Sequence, residues 1–137
     1  MVGVLFAACS ALVVTPSPAL NTAPSLGISN GTTLAVTLVV NGAVVGTFAP
    51  GARSDPIAAS LPGLPWAVQV RSPSGRLLTS MTVRVGDVWQ TTGPDGGVTM
   101  KGDGMRVDLS CGRLDIWSGP PMLGPPPGPG TPGDCAP

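Results

Sequence analysis

Residues 34–48 read LAVTLVVNGAVVGTF, and this stretch decides the fold class. Leu34, Val36, Leu38 and Val40 fall on one side of an extended chain, with Ala35, Thr37 and Val39 on the other. A two-residue period belongs to a strand, because successive side chains of a pleated backbone point to opposite faces. Asn41-Gly42 follows at once. Both residues tolerate the positive φ angles of a type I′ turn, whose twist matches that of the strands it joins. Ala43–Phe48 is then the returning strand, and Pro50-Gly51 ends it.

Working outward, a loop with Asp55-Pro56, Pro62-Gly63 and Pro65 leads into a second hairpin. Trp66, Val68 and Val70 alternate with Ala67, Gln69 and Arg71, and Ser72-Pro73-Ser74-Gly75 supplies the turn. The outgoing strand presents Leu77, Thr79, Met81, Val83 and Val85 inward, against Leu78, Ser80, Thr82 and Arg84 outward. Gly93–Gly104 (GPDGGVTMKGDG) reads as a loop. In Met105–Trp117, Val107, Leu109 and Cys111 share one phase, whereas Leu114 and Ile116 share the other. A bulge or a tight turn at Cys111-Gly112 produces such a flip. A bulge within one long strand is expected, because Arg106, Asp108 and Ser110 make a consistent polar face before it. With no competing 3.6-residue period, the pattern predicts an all-β chain forming a small antiparallel β-sandwich, immunoglobulin-like, over residues 26–118. A closed barrel of the oligonucleotide-binding kind is the alternative.

The 137 residues suit one domain, and 20 glycines with 17 prolines suit strands and turns. Helix formers are scarce: glutamate is absent and Lys101 is the only lysine. Formal net charge is zero, which leaves no electrostatic footprint for nucleic acid. Histidine and tyrosine are also absent. That removes Ser-His-Asp and Cys-His catalysis and most zinc and copper sites. The expectation is a protein without catalytic residues, metal or cofactor.

At the N-terminal end, the apolar run Val2–Ala8 closes on Cys9 and gives way to Thr15–Ser25 (TPSPALNTAPS). The run is too short to span a bilayer. It reads as the end of an export signal, with Cys9 as the lipid attachment point and residues up to 25 as a tether. Phe6 stands where leucine is usual three positions before such a cysteine, and no basic residue precedes Arg53. At the other end, residues 119–137 (GPPMLGPPPGPGTPGDCAP) form a Pro/Gly-rich tail that favours polyproline II or irregular backbone. With Cys9 lipidated, Cys111 and Cys135 remain as an even pair, expected to form a disulfide that clamps the tail over the sandwich.

Several constellations compete with simpler explanations. Asp87, Asp95 and Asp103 lack EF-hand spacing and fit Asp-Gly turn chemistry better than calcium. Asp108 and Asp115 resemble a glycosidase carboxylate pair only superficially, since Arg106 and Arg113 are placed to pair with them. Lys101 has no S-x-x-K arrangement. Asn30-Gly31-Thr32 matches a glycosylation acceptor but is expected to be a turn. Trp66 belongs to a core row, whereas Trp117 is in phase with Arg113 and Asp115 and points away from Leu114 and Ile116. Trp117, Arg113 and Asp115 are therefore the candidate ligand-binding residues, with packing of the proline tail over Trp117 as the competing expectation.

Together Phe6–Cys9 (FAAC) with its tether, Val39–Gly42 (VVNG), Leu61–Trp66 (LPGLPW), Arg71–Arg76 (RSPSGR) and Arg106–Trp117 (RVDLSCGRLDIW) resemble small bacterial lipoproteins with an immunoglobulin- or transthyretin-like sandwich. The resemblance implies a place in the cell envelope and a fold, and transfers no site. The expected function is a non-catalytic, lipid-anchored extracytoplasmic domain, binding or structural. It would meet the membrane through its anchor and an envelope protein or glycan through its body. The alternative is a carbohydrate- or peptide-binding module working through an exposed Trp117.

Overall fold

A computed structural model describes residues 24–137. Cys9 and the tether up to residue 23 lie outside the described residues. The strands are β1 (Leu26–Asn30), β2 (Val36–Val40), β3 (Ala43–Phe48), β4 (Arg53–Ser54), β5 (Trp66–Arg71), β6 (Leu77–Val83), β7 (Trp89–Thr92), β8 (Val98–Lys101), β9 (Asp103–Leu109) and β10 (Gly112–Ser118). They build two four-stranded sheets, ordered β4-β1-β10-β9 and β3-β2-β5-β6, with β7-β8 as a separate hairpin. Every pairing is antiparallel. The fold is an all-β sandwich.

Its core forms where the inward rows of the two sheets meet. Leu26, Ile28, Leu114 and Ile116 of the first sheet pack with Val36, Leu38, Val40, Val68, Val70 and Val83 of the second. Burying each such side chain contributes about 1.5–3 kcal/mol. Trp66 joins the core with its polar atom satisfied, because Nε1 donates to the Pro62 carbonyl at 2.7 Å. The Asn41-Gly42 turn takes φ values of 50° and 82°, as a type I′ hairpin requires.

Three expectations are corrected. The phase flip at Cys111-Gly112 is a two-residue hairpin turn, not a bulge: Leu109 faces Gly112, Val107 faces Leu114 and Met105 faces Ile116. Gly112, leaving the turn, takes a φ of 129°, and a Cβ there would collide with the Gly31 carbonyl, so the position suits glycine. Secondly, Leu78 is an extra residue in β6, since Val70 pairs with Thr79 but Arg71 with Leu77. That bulge turns Leu78 toward the core and leaves Leu77 exposed. Val85 is 80% exposed, beyond the end of its strand. Thirdly, the Gly93–Gly104 segment contains β8, paired with β7. Leu26–Asn30, to which the sequence pattern assigns no element, forms β1, with Gly27 interrupting its apolar run.

Asn30, at the end of β1, ties the loops between the sheets. Its Nδ2 donates to the carbonyls of Leu34 (2.7 Å), Phe48 (3.0 Å) and Ala49 (3.1 Å). Its Oδ1 accepts from the backbone N–H and the hydroxyl of Thr32. Only 1% exposed, Asn30 is thus part of the framework and not a free acceptor for glycosylation. Asn30→Ala strands several buried polar groups and is expected to cost on the order of 3 kcal/mol. Urea denaturation checks this through a lowered midpoint at unchanged slope.

Candidate functional site

The outer face of β1, β10 and β9 carries the residues singled out in the sequence. Along β10, Leu114 and Ile116 turn inward, so Arg113, Asp115 and Trp117 turn outward. Each charge meets its opposite directly across the ladder, where Arg113 faces Asp108 and Asp115 faces Arg106. The Nε of Arg113 lies 2.6 Å from Asp108, and that of Arg106 lies 3.1 Å from Asp115. The two aspartates are consumed by these pairs. Arg113 chiefly holds the Asp108 carboxyl below the usual carboxylate range, with further help from the Gly128 N–H. The same hydrogen bond raises the Arg113 guanidinium.

Trp117 is not an exposed platform. It is 2% exposed, although it projects from the outer face as its phase predicts. Its ladder neighbours are Gly27 on β1 and Gly104 on β9. Neither has a side chain to lift the ring. The indole therefore lies so close over Gly27 that a Cβ there would collide with it. The Arg53 guanidinium, from β4, stands 5.3 Å from the ring centroid in a cation–π contact. Nε1 of Trp117 and Oγ of Ser118 have no hydrogen-bond partner among the described residues.

The remaining outer face is covered by residues 119–137, a strap running beside β9 toward the Ser110-Cys111 turn. Met122 fills the space over Gly104, and Gly124 lies against the Arg106 guanidinium. Arg113 donates from Nη1 to the Pro125 carbonyl and from Nη2 to the Pro126 carbonyl, the latter at 3.0 Å. Asp134 Oδ1 accepts from the N–H (2.8 Å) and hydroxyl (2.6 Å) of Ser110, and Oδ2 accepts from the Thr131 N–H. The Ser110 hydroxyl is the main reason that the Asp134 carboxyl sits below its ordinary value. Cys135 is bonded to Cys111, as the cysteine arithmetic predicts. On either side of it, Arg76 donates to the carbonyls of Asp134 and Ala136, and the Ser74 hydroxyl donates to that of Pro137. The strap thus ends on the β5–β6 turn of the opposite sheet.

The other sequence candidates do not converge. Asp87, Asp95 and Asp103 each accept a backbone N–H in their own loops, from Arg84, Gly97 and Gly104 respectively. Asp87, Asp103 and Lys101 line a hollow of about 170 Å³, from which Asp95 is absent. Among the described residues no three metal-ligating side chains cluster. Sequence reasoning also missed an apolar cleft of about 430 Å³, lined by Val40, Val44, Val45, Ala59, Leu61 and Pro62. At its edge Asn41 donates to the Pro65 carbonyl and accepts from the Ala67 N–H.

Comparisons with protein-family models, curated proteins and solved structures returned no match.

Two predictions follow from the charges under the strap. Asp108 and Asp134 have depressed values when folded, so their contribution is complete above the free value of 3.8 and is lost as pH falls through the lower folded values. Amide-exchange protection at Ser110, Gly128 and Thr131 should hold from neutral pH to about pH 5 and disappear below the ordinary carboxylate range. Arg113→Ala should return the Asp108 carboxyl toward its ordinary value in an NMR titration and reduce protection at Gly128.

Proposed function

We propose that this protein is a non-catalytic extracytoplasmic domain, held at the membrane by lipid on Cys9, that binds or supports an envelope protein or glycan. The observation carrying this reading is the cysteine count. Two of the three cysteines are paired with one another, which leaves Cys9 as the odd one. Disulfides persist in oxidising compartments, and a lone cysteine after a short apolar run suits lipid attachment. The placement of β1 fits a tether. Leu26 pairs with Ser118 and Asn30 with Leu114, so the chain arriving from Cys9 enters at the end of the sheet opposite the Cys111 turn. A domain hung from that end holds the Cys111–Cys135 end of its strap away from the bilayer.

The chemistry of the body supports a non-catalytic role. The chain has no histidine, and the outer-face carboxylates are neutralised by Arg106 and Arg113. Among the described residues, no helix is long and apolar enough to cross a membrane. A carbohydrate or peptide module built on an open Trp117 loses its footing, because that indole is enclosed by Gly27 and Arg53.

Intact-mass analysis of the membrane fraction tests the anchor. The expected product begins at Cys9 and carries diacylglycerol, and Cys9→Ser should move the protein into the soluble fraction. A membrane-associated chain that still begins at Met1 without lipid would refute it.

A further inference from the structure

We propose that the outer track of β9 and Arg113 is a binding site for an extended, proline-rich peptide. Residues 119–134 are its built-in occupant, released by thiol–disulfide exchange at Cys111–Cys135. This deepens the binding reading given above and makes no use of the lipid anchor.

The track reads backbone. Gly104, Arg106, Asp108 and Ser110 turn outward along β9, because Val107 and Leu109 turn inward. Arg113 supplies two donors to two consecutive carbonyls, those of Pro125 and Pro126. Gly128, the first residue after Pro127 with an N–H to give, sits against the Asp108 carboxylate, where a Cβ would touch Oδ2. A polyproline segment offers unpaired carbonyls and no N–H, so a fork of guanidinium donors suits it. Selectivity comes chiefly from one steric limit, at Gly130, where a Cβ would run into the backbone of Leu109 and Ser110; a Cβ at Gly124 meets only the Arg106 guanidinium, the movable end of a long side chain. The site therefore takes proline runs spaced by glycine, and none of these contacts requires the peptide to belong to the same chain.

The outer side of the occupant is open: Leu123 is 93% exposed, and Pro125, Pro126 and Pro127 are also exposed. Covalent attachment at Ser118 and at Cys135 gives the strap a high effective concentration over the track, which excludes a competitor. Opening the latch removes one end. Cys111 and Cys135 are both only partly buried, so a reductant can approach them. The thiolate of an external dithiol attacks one cysteine sulfur, forms a mixed disulfide and expels the other cysteine as a thiolate. The second thiol of the reductant then displaces the first cysteine. Cys111 and Cys135 end as thiols, the dithiol ends as a disulfide, and two electrons have moved.

The test is fluorescence anisotropy of a labelled synthetic peptide with the sequence of residues 119–134. It is titrated with the full chain in oxidised form, after reduction by dithiothreitol, and as the Gly124→Val/Gly130→Val/Cys135→Ser variant. That variant's own strap is sterically barred from an unaltered track. Saturable binding is expected to the variant, weaker binding to the reduced chain, and none to the oxidised chain. Adding Arg113→Ala to the variant should weaken binding by at least about tenfold. Equal binding to the oxidised chain, or no binding by a variant with native amide protection in β5 and β10, overturns the proposal. Should the variant not fold, amide exchange of the reduced chain decides. Protection lost over 119–134 while β2, β5 and β10 hold supports it, whereas no change, or loss in all strands together, overturns it. Neither readout depends on Cys9, so its failure is separable from failure of the lipid anchor.

Discussion

The bond between Cys111 and Cys135 closes a 24-residue separation into a ring made of β10 and the returning strap. On a chain-entropy account, a link of that length stabilises a fold by roughly 3.5 kcal/mol. For a sandwich of this size that is a large share of the usual net stability. Its placement matters as much as its magnitude. Cys111 sits in the turn between β9 and β10, so the bond fixes the strap at the point where those strands reverse. Pro/Gly-rich chain has no ladder and no core of its own. Without a covalent end, residues 119–137 would depend on partly exposed hydrogen bonds.

The outer face is shaped to receive that chain. The two Arg–Asp pairs span β9 and β10 and neutralise each other, leaving Nη1 and the second N–H of Nη2 of Arg113 to take strap carbonyls. Glycines do the rest. Gly27 and Gly104 flank Trp117 and let the indole lie down, while Gly124 and Gly130 let the strap approach the sheet. Opposite charges on neighbouring strands would be a modest asset on an open surface. Here they also position the donors that hold the cover.

Local pattern made much of this fold legible, and non-local contact hid the rest. In Leu34–Phe48 the period-two row and Asn41-Gly42 agree, and β2–β3 is the result. The Arg–Asp pairing was readable because the residues sit on either side of a short reversal. The reversal itself was misread: Ser110-Cys111 lacks the usual turn residues, and the polar phase of Arg106, Asp108 and Ser110 implied one continuous strand. Leu78 carries no sign of the bulge it makes, since its neighbours alternate well. Trp117 faces the side its phase indicates, yet its burial depends on Gly27 and Arg53, each far away in the sequence. A lone glycine in a short apolar segment was the only available hint.

Cys111 and Cys135 are joined in the folded protein and hold the strap in place. Alkylation of the unfolded, unreduced protein followed by peptide mapping tests it most directly. The account predicts no alkylated cysteine at either position and one linked peptide pairing the β9–β10 turn with the segment around Cys135. Quantitative alkylation of both, or a link from either one to a second chain, would contradict it.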